Sequence, residues 1–248
     1  MSETNATTQF TVRLPSRGLV YKDIEKNNAN DQIQIRTFKG RDEKLIAEIS
    51  SENFEKKFLT ILKSVLTGIN PEELTSGDRQ ALMVWETINS YDKEFTVNFE
   101  CEHCWQKSDY RIDLSKLEMI ELPEDFKEPY GVKLPNGDSL QLRLLRVKDL
   151  IAVDQMDKQG QNVWLYRYTL SIVNDKSIWE NVEYLEDLST KDLMVIRAFH
   201  DKFNHGIKME EKYTCPKCGG TGIMPVPFRL DMLLPFGKEL AGHLGDAV

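Results

Sequence analysis

The sequence predicts an α+β fold of two pseudo-symmetric lobes produced by tandem duplication, and three observations carry that expectation. Strand-like alternation and helix-like stripes follow one another in the same order in both halves of the 248 residues. Short stretches recur: "LTSGD" at 74–78 returns as "LSTKD" at 188–192, and "IQIR" at 33–36 as "LQLR" at 140–143, offsets of 114 and 107 residues. Each half also carries one C-x-x-C pair, Cys101 with Cys104 and Cys215 with Cys218, and 23 residues separate Asp78 from Cys101 as they separate Asp192 from Cys215. A repeated unit explains both spacings better than coincidence between two ordinary helix-strand stretches does.

Taken in order, "FTVRLPSRGLVY" alternates and then breaks at Pro15 and Gly18, a strand entering a tight turn, and "EKNNANDQ" reads as a loop. "IQIRTF" is a period-two strand. "RDEKLIAEIS" followed by "NFEKKFLTILKSVL" is helical, with Phe54, Phe58, Ile61, Leu62, Val65 and Leu66 on one face; Gly68 and Pro71 stop it. In "LTSGDRQALMVWETINSY", Ser76 or Asp78 is the expected N-cap of the next helix, with Leu82, Trp85 and Ile88 along one side. "EFTVNFE" is a strand running into Cys101, and "YRIDL" is the returning strand.

The pattern then restarts. "YGVKLPNGDSLQLRLL" is a hairpin about Asn136-Gly137, "VKDLIAVDQM" and "NVWLYRYTLSIV" are helices, and "STKDLMVIRAFHDKF" is a helix opened by Ser189 or Thr190 and ended by Gly206. "IKMEEKYT" leads into the second cysteine pair, and "IELP" at 120–123 has its counterpart in "MLLP" at 232–235. The expected organisation is an N-terminal strand-turn and loop (1–32), a first lobe (33–123), a second lobe (124–235) and a C-terminal tail (236–248).

Composition narrows the function. With 32 basic against 40 acidic residues the formal charge is −8, the wrong sign for displacing counterions from nucleic acid. No apolar run approaches the ~18 residues of a membrane span. The start, "MSETNATTQF", lacks the basic and apolar regions of a signal peptide, so a cytosolic protein is expected. In a reducing compartment, four cysteines in two C-x-x-C pairs point to metal or redox chemistry rather than a disulfide framework.

Two knuckles in corresponding places of two related lobes meet if the lobes pack about a pseudo-twofold axis. Cys101, Cys104, Cys215 and Cys218 would then make one tetrahedral structural site for Zn2+, with metal-sulfur bonds of about 2.3 Å. Iron suits the same ligands. In "YTCPKCGGTG", Pro216 stiffens the turn, and Gly219 and Gly220 let backbone N–H groups point at sulfur. Lys107 and Lys217 are placed to soften the charge of four thiolates. His103 is expected to face solvent; His200 and His205 are substitutes should a thiolate be missing, and His243 falls in the tail. The runner-up is a C-x-x-C thiol redox protein, but redox motifs sit at helix N-termini and these pairs follow strands. "CPKCGGTG" is similar to the C-x-x-C-x-G-x-G unit of J-domain chaperones, which use four copies; "CEHCWQKS" lacks the glycines, so the likeness implies a similar knuckle and nothing about clients.

No motif for nucleophilic, phosphate-binding or zinc-hydrolase chemistry occurs, and four thiolates close a zinc site to substrate, so neither enzymatic activity nor a small-molecule substrate is expected. Acidic runs such as "EYLED" and "ELPEDFKE" read as solvated faces or turns. Trp85, Trp164, Tyr166, Tyr168 and Trp179 are expected in core packing. The C-terminal stretch is unusually apolar, which makes Phe228, Leu233 and Phe236 candidates for contact with a partner.

"LPSRGLVY" at 14–21 and "GRDEKL" at 40–45, followed by the paired knuckles, give a chain that resembles the baseplate hub and hub-assembly proteins of T-even-type contractile-tailed phages. The resemblance implies a non-enzymatic role in forming the baseplate hub, as a transient assembly factor or as a minor structural subunit. It implies other baseplate hub proteins as partners, with no nucleic acid or membrane. The place of action is then the host cytoplasm during assembly, or the virion baseplate. Arg17, Leu19 and Tyr21 are candidates for a partner-facing turn.

Overall fold

A computed structural model describes residues 9–21, 32–50, 52–227 and 230–233. In the first half, β1 (Phe10–Arg13) and β2 (Gln32–Ile35) pair antiparallel, which joins the N-terminal strand to the first sheet. Alternation sends Ile33 and Ile35 into the core. The helical stretch expected next is two helices, α1 (Gly40–Ala47) and α2 (Phe54–Val65). Asn53 makes the break: its Oδ1 accepts from the Ser50 N–H at 2.8 Å and its Nδ2 donates to the Glu48 carbonyl at 3.1 Å. The stripe of Phe58, Ile61, Leu62 and Val65 is buried as the period requires, while Leu66 has left the helix for β3 (Leu66–Thr67), which pairs with β2. α3 (Ser76–Ser90) is capped by neither expected residue: Thr75 is the N-cap, its hydroxyl accepting from the Asp78 N–H at 3.1 Å. β4 (Glu94–Glu100), β5 (Lys107–Asp113) and β6 (Met119–Ile120) complete this half.

The second half repeats the order with differences. β7 (Tyr130–Lys133) and β8 (Ser139–Leu142) form the hairpin, and α4 (Val147–Lys158) follows. α5 (Val163–Thr169) is shorter than its apolar pattern implied. Its continuation turns to β8 instead: the Arg143 N–H donates to the Ser171 carbonyl at 2.8 Å and the Val173 N–H to the Gln141 carbonyl at 2.8 Å. α6 (Ile178–Glu186) contains the run "EYLE", read above as a turn or solvated face; its capping box of Ser177 and Glu180 is present in the sequence. α7 (Thr190–Lys202) is capped by Ser189, and β9 (Gly206–Ile207) pairs with β6. β10 (Glu210–Thr214), β11 (Thr221–Pro225) and α8 (Leu230–Leu233) end the described chain. The mixture of helices and small sheets is α+β.

Details recur at matching positions. Arg36 grips Asp42 with two bonds of 2.7 and 3.0 Å, and Arg143 grips Asp149 with 2.7 and 2.9 Å. Each arginine also donates to the next residue's carbonyl, and each aspartate also accepts the N–H at the start of its helix, from Lys39 and Arg146. Burial raises the Asp42 carboxyl pKa, but bonds from Arg36, Ser64 and the Lys39 N–H outweigh it and hold Asp42 below the usual carboxylate range. Likewise Asp78 accepts the Ser16 N–H at 2.8 Å and Asp192 the Asn136 N–H at 2.9 Å. Those donors sit in "VRLPS" and "VKLPN", a further recurrence at an offset of 120.

The cores do not follow the expected lobe boundaries. Leu233 and Val147 pack with Leu14, Ile46, Phe58 and Leu62 of the first half; Val226 and Met232 pack with Val84, Phe95, Val97 and Ile112. A second cluster is centred on Leu142, Leu185, Ile196 and Phe199, with Val20 against it. Of the aromatics expected inside, Trp164 (44% exposed) and Trp179 (58%) lie at the surface, each keeping ring contact with a neighbour, Tyr168 and Tyr166 respectively.

Where β9 crosses α3, the chains touch backbone to backbone. A Cβ on Gly77 would stand 2.2 Å from the His205 carbonyl oxygen, and Thr75 Oγ1 and His205 Nε2 are 2.6 Å apart. Gly77→Ala is therefore expected to destabilise the protein by roughly 2–4 kcal/mol, through displacement of backbone; urea unfolding that gives less than half a kcal/mol would contradict the close approach.

Glu86 is 1% exposed, with Oε2 accepting from Ser90 Oγ at 2.8 Å and Oε1 buried without a partner. Burial pushes its pKa up to about 8. Folded Glu86 therefore binds its proton more tightly than the unfolded chain does, so stability falls as pH rises from the unfolded pKa towards 8. Glu86→Gln is expected to gain roughly 2–4 kcal/mol at pH 8 and almost nothing near pH 4.5, as read from urea unfolding at the two pH values. An equal effect at both would mean that charge burial is not the cause.

Candidate metal centre

Two hairpins build the centre. β4 and β5 pair from Glu94↔Asp113 to Glu100↔Lys107, leaving residues 101–106 as the knuckle; β10 and β11 pair from Glu210↔Pro225 to Thr214↔Thr221, leaving 215–220. The knuckles have one conformation. The Cys101 N–H donates to the Gln106 carbonyl (3.1 Å) and the Cys215 N–H to the Gly220 carbonyl (2.8 Å). The Trp105 N–H then donates to the Cys101 carbonyl (2.8 Å) and the Gly219 N–H to the Cys215 carbonyl (2.9 Å). Such turns need a left-handed residue in fifth place: Gly219 has φ 74°, and Trp105 adopts φ 59° without a glycine's freedom.

The four sulfurs face one another. Cys101 Sγ is 3.8 Å from Cys218 Sγ, Cys104 Sγ is 3.8 Å from Cys215 Sγ, and all four lie within 4.8 Å of one another. These separations far exceed a disulfide bond, and a tetrahedron with 2.3 Å metal-sulfur bonds has edges of about 3.8 Å. The donor set thus fits a metal ion. Beneath it, Phe99, Tyr213 and Met224 form an apolar floor, with the Phe99 and Tyr213 rings 4.6 Å apart. Cys101 and Cys215 are buried, Cys104 is half-buried and Cys218 exposed.

Backbone dipoles already favour thiolate. Cys101 Sγ accepts from the His103 N–H and Cys218 Sγ from the Gly220 N–H, both at 3.4 Å. Burial opposes ionisation of Cys101, but the N–H groups of His103 and Cys104 and the neighbouring thiols overcome it and bring its pKa to about 6. Cys104 is pushed up to about 12: the Gln106 N–H favours its thiolate, and burial together with the other three sulfurs outweighs it. Cys101 and Cys104 are thus pushed in opposite directions, and a divalent cation at the sulfurs would favour the thiolate of both.

The histidines separate from the site as ligands. His103 is exposed, but its Nε2 bonds the Thr221 carbonyl at 2.9 Å and its ring covers Gly220, so it ties one knuckle to the other. His200 bonds Ser171 Oγ and His205 lies between Thr75 and Phe203; neither joins the sulfur cluster. Lys107 and Lys217 are exposed.

A family model described as "T4 bacteriophage base plate protein" matches residues 7–230. The chain belongs to this family. Curated proteins and solved structures give no match to it. As a base plate protein it is part of the virion or of its assembly, and its expected company is other base plate proteins. Among the described residues, no helix is long and apolar enough to cross a membrane.

The turn and tail candidates fare differently. Arg17 has φ 55° and is held by Glu121 at 3.0 Å and Glu124 at 2.9 Å. The Tyr21 hydroxyl donates to Asp78 and accepts the Thr75 N–H. Both are engaged internally, which leaves Leu19, 40% exposed, as the outward residue of that turn. Leu233 is 1% exposed in the core, because α8 packs its apolar side inward instead of offering it to a partner. Phe228 and Phe236 lie outside the described residues.

Trp105 is 71% exposed, so its left-handed backbone is not compensated by burial of its ring. Trp105→Gly is expected to raise stability by about 0.5–1 kcal/mol with metal content unchanged; a loss in denaturant unfolding would show that the indole contributes more than the backbone costs.

Proposed function

We propose that this base plate family member is a non-enzymatic hub assembly protein that binds hub subunits and whose fold is stapled by one zinc ion held by Cys101, Cys104, Cys215 and Cys218. Family membership over residues 7–230 supports the baseplate role. The observation that carries the staple is the approach of thiols from two hairpins to 3.8 Å across the knuckles. Four sulfur donors favour zinc over hard cations, and a filled tetrahedron leaves no coordination position for substrate. Binding energy of such a site is folding energy, so the metal joins the two hairpins and leaves recognition to the surface around them.

The same reading takes the two halves as copies of one ancestral unit. The paired Arg36–Asp42 and Arg143–Asp149 grips, the matched Asp78 and Asp192 bonds and the like knuckles support it.

Purified protein is expected to contain one zinc per chain by elemental analysis. Cys101→Ser and Cys215→Ser are each expected to lose it and to lower Tm by roughly 10 °C or more. Two metals per chain, or none together with a reversible disulfide, would sink the shared staple. For the assembly role, the chain is expected to associate with hub subunits in infected cells and to be missing from purified virions by mass spectrometry. Its presence at fixed copy number in virions would make it a structural subunit.

A further inference from the structure

The outer faces of α5 and α7 meet at an aromatic and cationic patch. On α5, Trp164 and Arg167 stand one turn apart and both are exposed; on α7, Met194 (58% exposed) and Arg197 are likewise one turn apart. The two faces are joined by stacking: the Arg197 guanidinium lies 4.3 Å from the Trp164 ring centroid, and Tyr168 packs on both Trp164 and His200.

The two arginines of this patch differ from the others in the described chain. Most buried or half-buried arginines here have carboxylate partners, including Arg17, Arg36, Arg79, Arg143 and Arg146. Arg167 and Arg197 have no ion pair among the described residues, and the buried Nε–H of Arg197 has no acceptor. Burial and Arg167 hold His200 neutral, with a pKa of about 4, and Asp201 is the carboxylate acting on it. The patch therefore presents two unpaired guanidinium groups beside an open indole on a chain of net charge −8.

The corresponding face of α3 is covered. At the offset of 114, Met194 matches Gln80 and Arg197 matches Met83; Gln80 Oε1 accepts the Ile207 N–H at 3.2 Å and Met83 is 1% exposed. Indole and guanidinium are the groups most often dominant in protein-protein binding, and a guanidinium fork matches a carboxylate.

We propose that Trp164, Arg167 and Arg197 form the docking site for an acidic, carboxylate-bearing segment of another baseplate protein. This rests on the assembly reading above, which supplies the partner class but no binding site. A partner carboxylate pairs with the outer N–H groups of the two arginines while an apolar neighbour covers the indole.

The test is binding of the intact, metal-loaded chain to baseplate proteins of the same phage, purified one at a time. The variants are Trp164→Ala and the double variant Arg167→Gln/Arg197→Gln, with the exposed Ile223→Ser on the knuckle hairpin as control. At least one protein is expected to bind, with affinity lowered tenfold or more by either patch variant, unaffected by the control, and competed by soluble poly-glutamate. Unchanged Tm and metal content exclude unfolding as the reason; if Trp164→Ala fails this criterion, the arginine variant decides. Binding that survives both patch changes would overturn the site and leave the assembly role standing, whereas failure to bind any baseplate protein would overturn both. Sedimentation showing self-association lost in the patch variants would assign the patch to a second copy, and patch-dependent binding of a single-stranded oligonucleotide would assign it to nucleic acid; either result overturns the proposal.

Discussion

The convergence of two cysteine knuckles constrains nearly everything around it. Sulfurs from segments more than a hundred residues apart face one another at 3.8 Å, so each hairpin must end in the right register at the same point. A slip of one residue in β4 or β10 would turn the cysteine to the opposite face. Register is fixed by alternation: Phe95, Val97 and Phe99 point inward from β4, and Tyr213 and Met224 do so from β10 and β11. The β6–β9 pairing holds the base of the two hairpins together, and the backbone contact at Gly77 seats β9 on α3. A metal ion binding here would find its ligands already gathered by apolar packing.

Buried charge does a different job. Removing Arg36 and Asp42 from water costs several kcal/mol per ion before their attraction offsets it, so the pair is weak evidence for added stability. Its geometry suggests a positional role. One Asp42 oxygen accepts both the arginine at the end of β2 and the N–H at the start of α1, which fixes the corner between strand and helix. Asp149 does the same between β8 and α4. A cleft of about 510 Å3 between the halves includes Arg143, Arg146 and Lys148, but these are spent on Asp149, Glu128 and Glu73. Val20, Ile69, Pro129 and Val173 line the same cleft beside these paired charges.

Local signals in the sequence were legible where one residue type decides the outcome. The cysteine spacing gave the cluster, the Ile-x-Ile alternation gave β2, and the Ser189 cap gave α7. Boundaries set by competition were not. "NVWLYRYTLSIV" has a helical stripe throughout, yet residues 171–173 pair with β8 because its edge offers backbone partners, a choice no local period records. α6 carried a readable capping box in Ser177 and Glu180, obscured by its acidic surface. The recurrence of "VRLPS" as "VKLPN" was also present; its meaning appears when Ser16 and Asn136 are seen donating to equivalent aspartates. Leu233 and the exposed Trp164 show the opposite limit, since hydrophobicity alone cannot say which apolar residues the tertiary fold will cover.

Comparing the halves separates what holds the fold from what is left over. Features that match, the arginine-aspartate grips and the knuckle turns, each satisfy buried backbone or charge, and losing either copy would damage the fold. Features that differ need another account. Gly219 gives its knuckle a left-handed residue at no steric cost, whereas Trp105 keeps the same backbone with an exposed indole. Met83 is sealed inside the protein, whereas Arg197 at the matching place is half-buried against Trp164. Folding stability gives no reason to keep an exposed indole at a strained turn. Trp105 and the Arg197–Trp164 stack are thus separate places where the halves diverge, and the docking role proposed above accounts for the second.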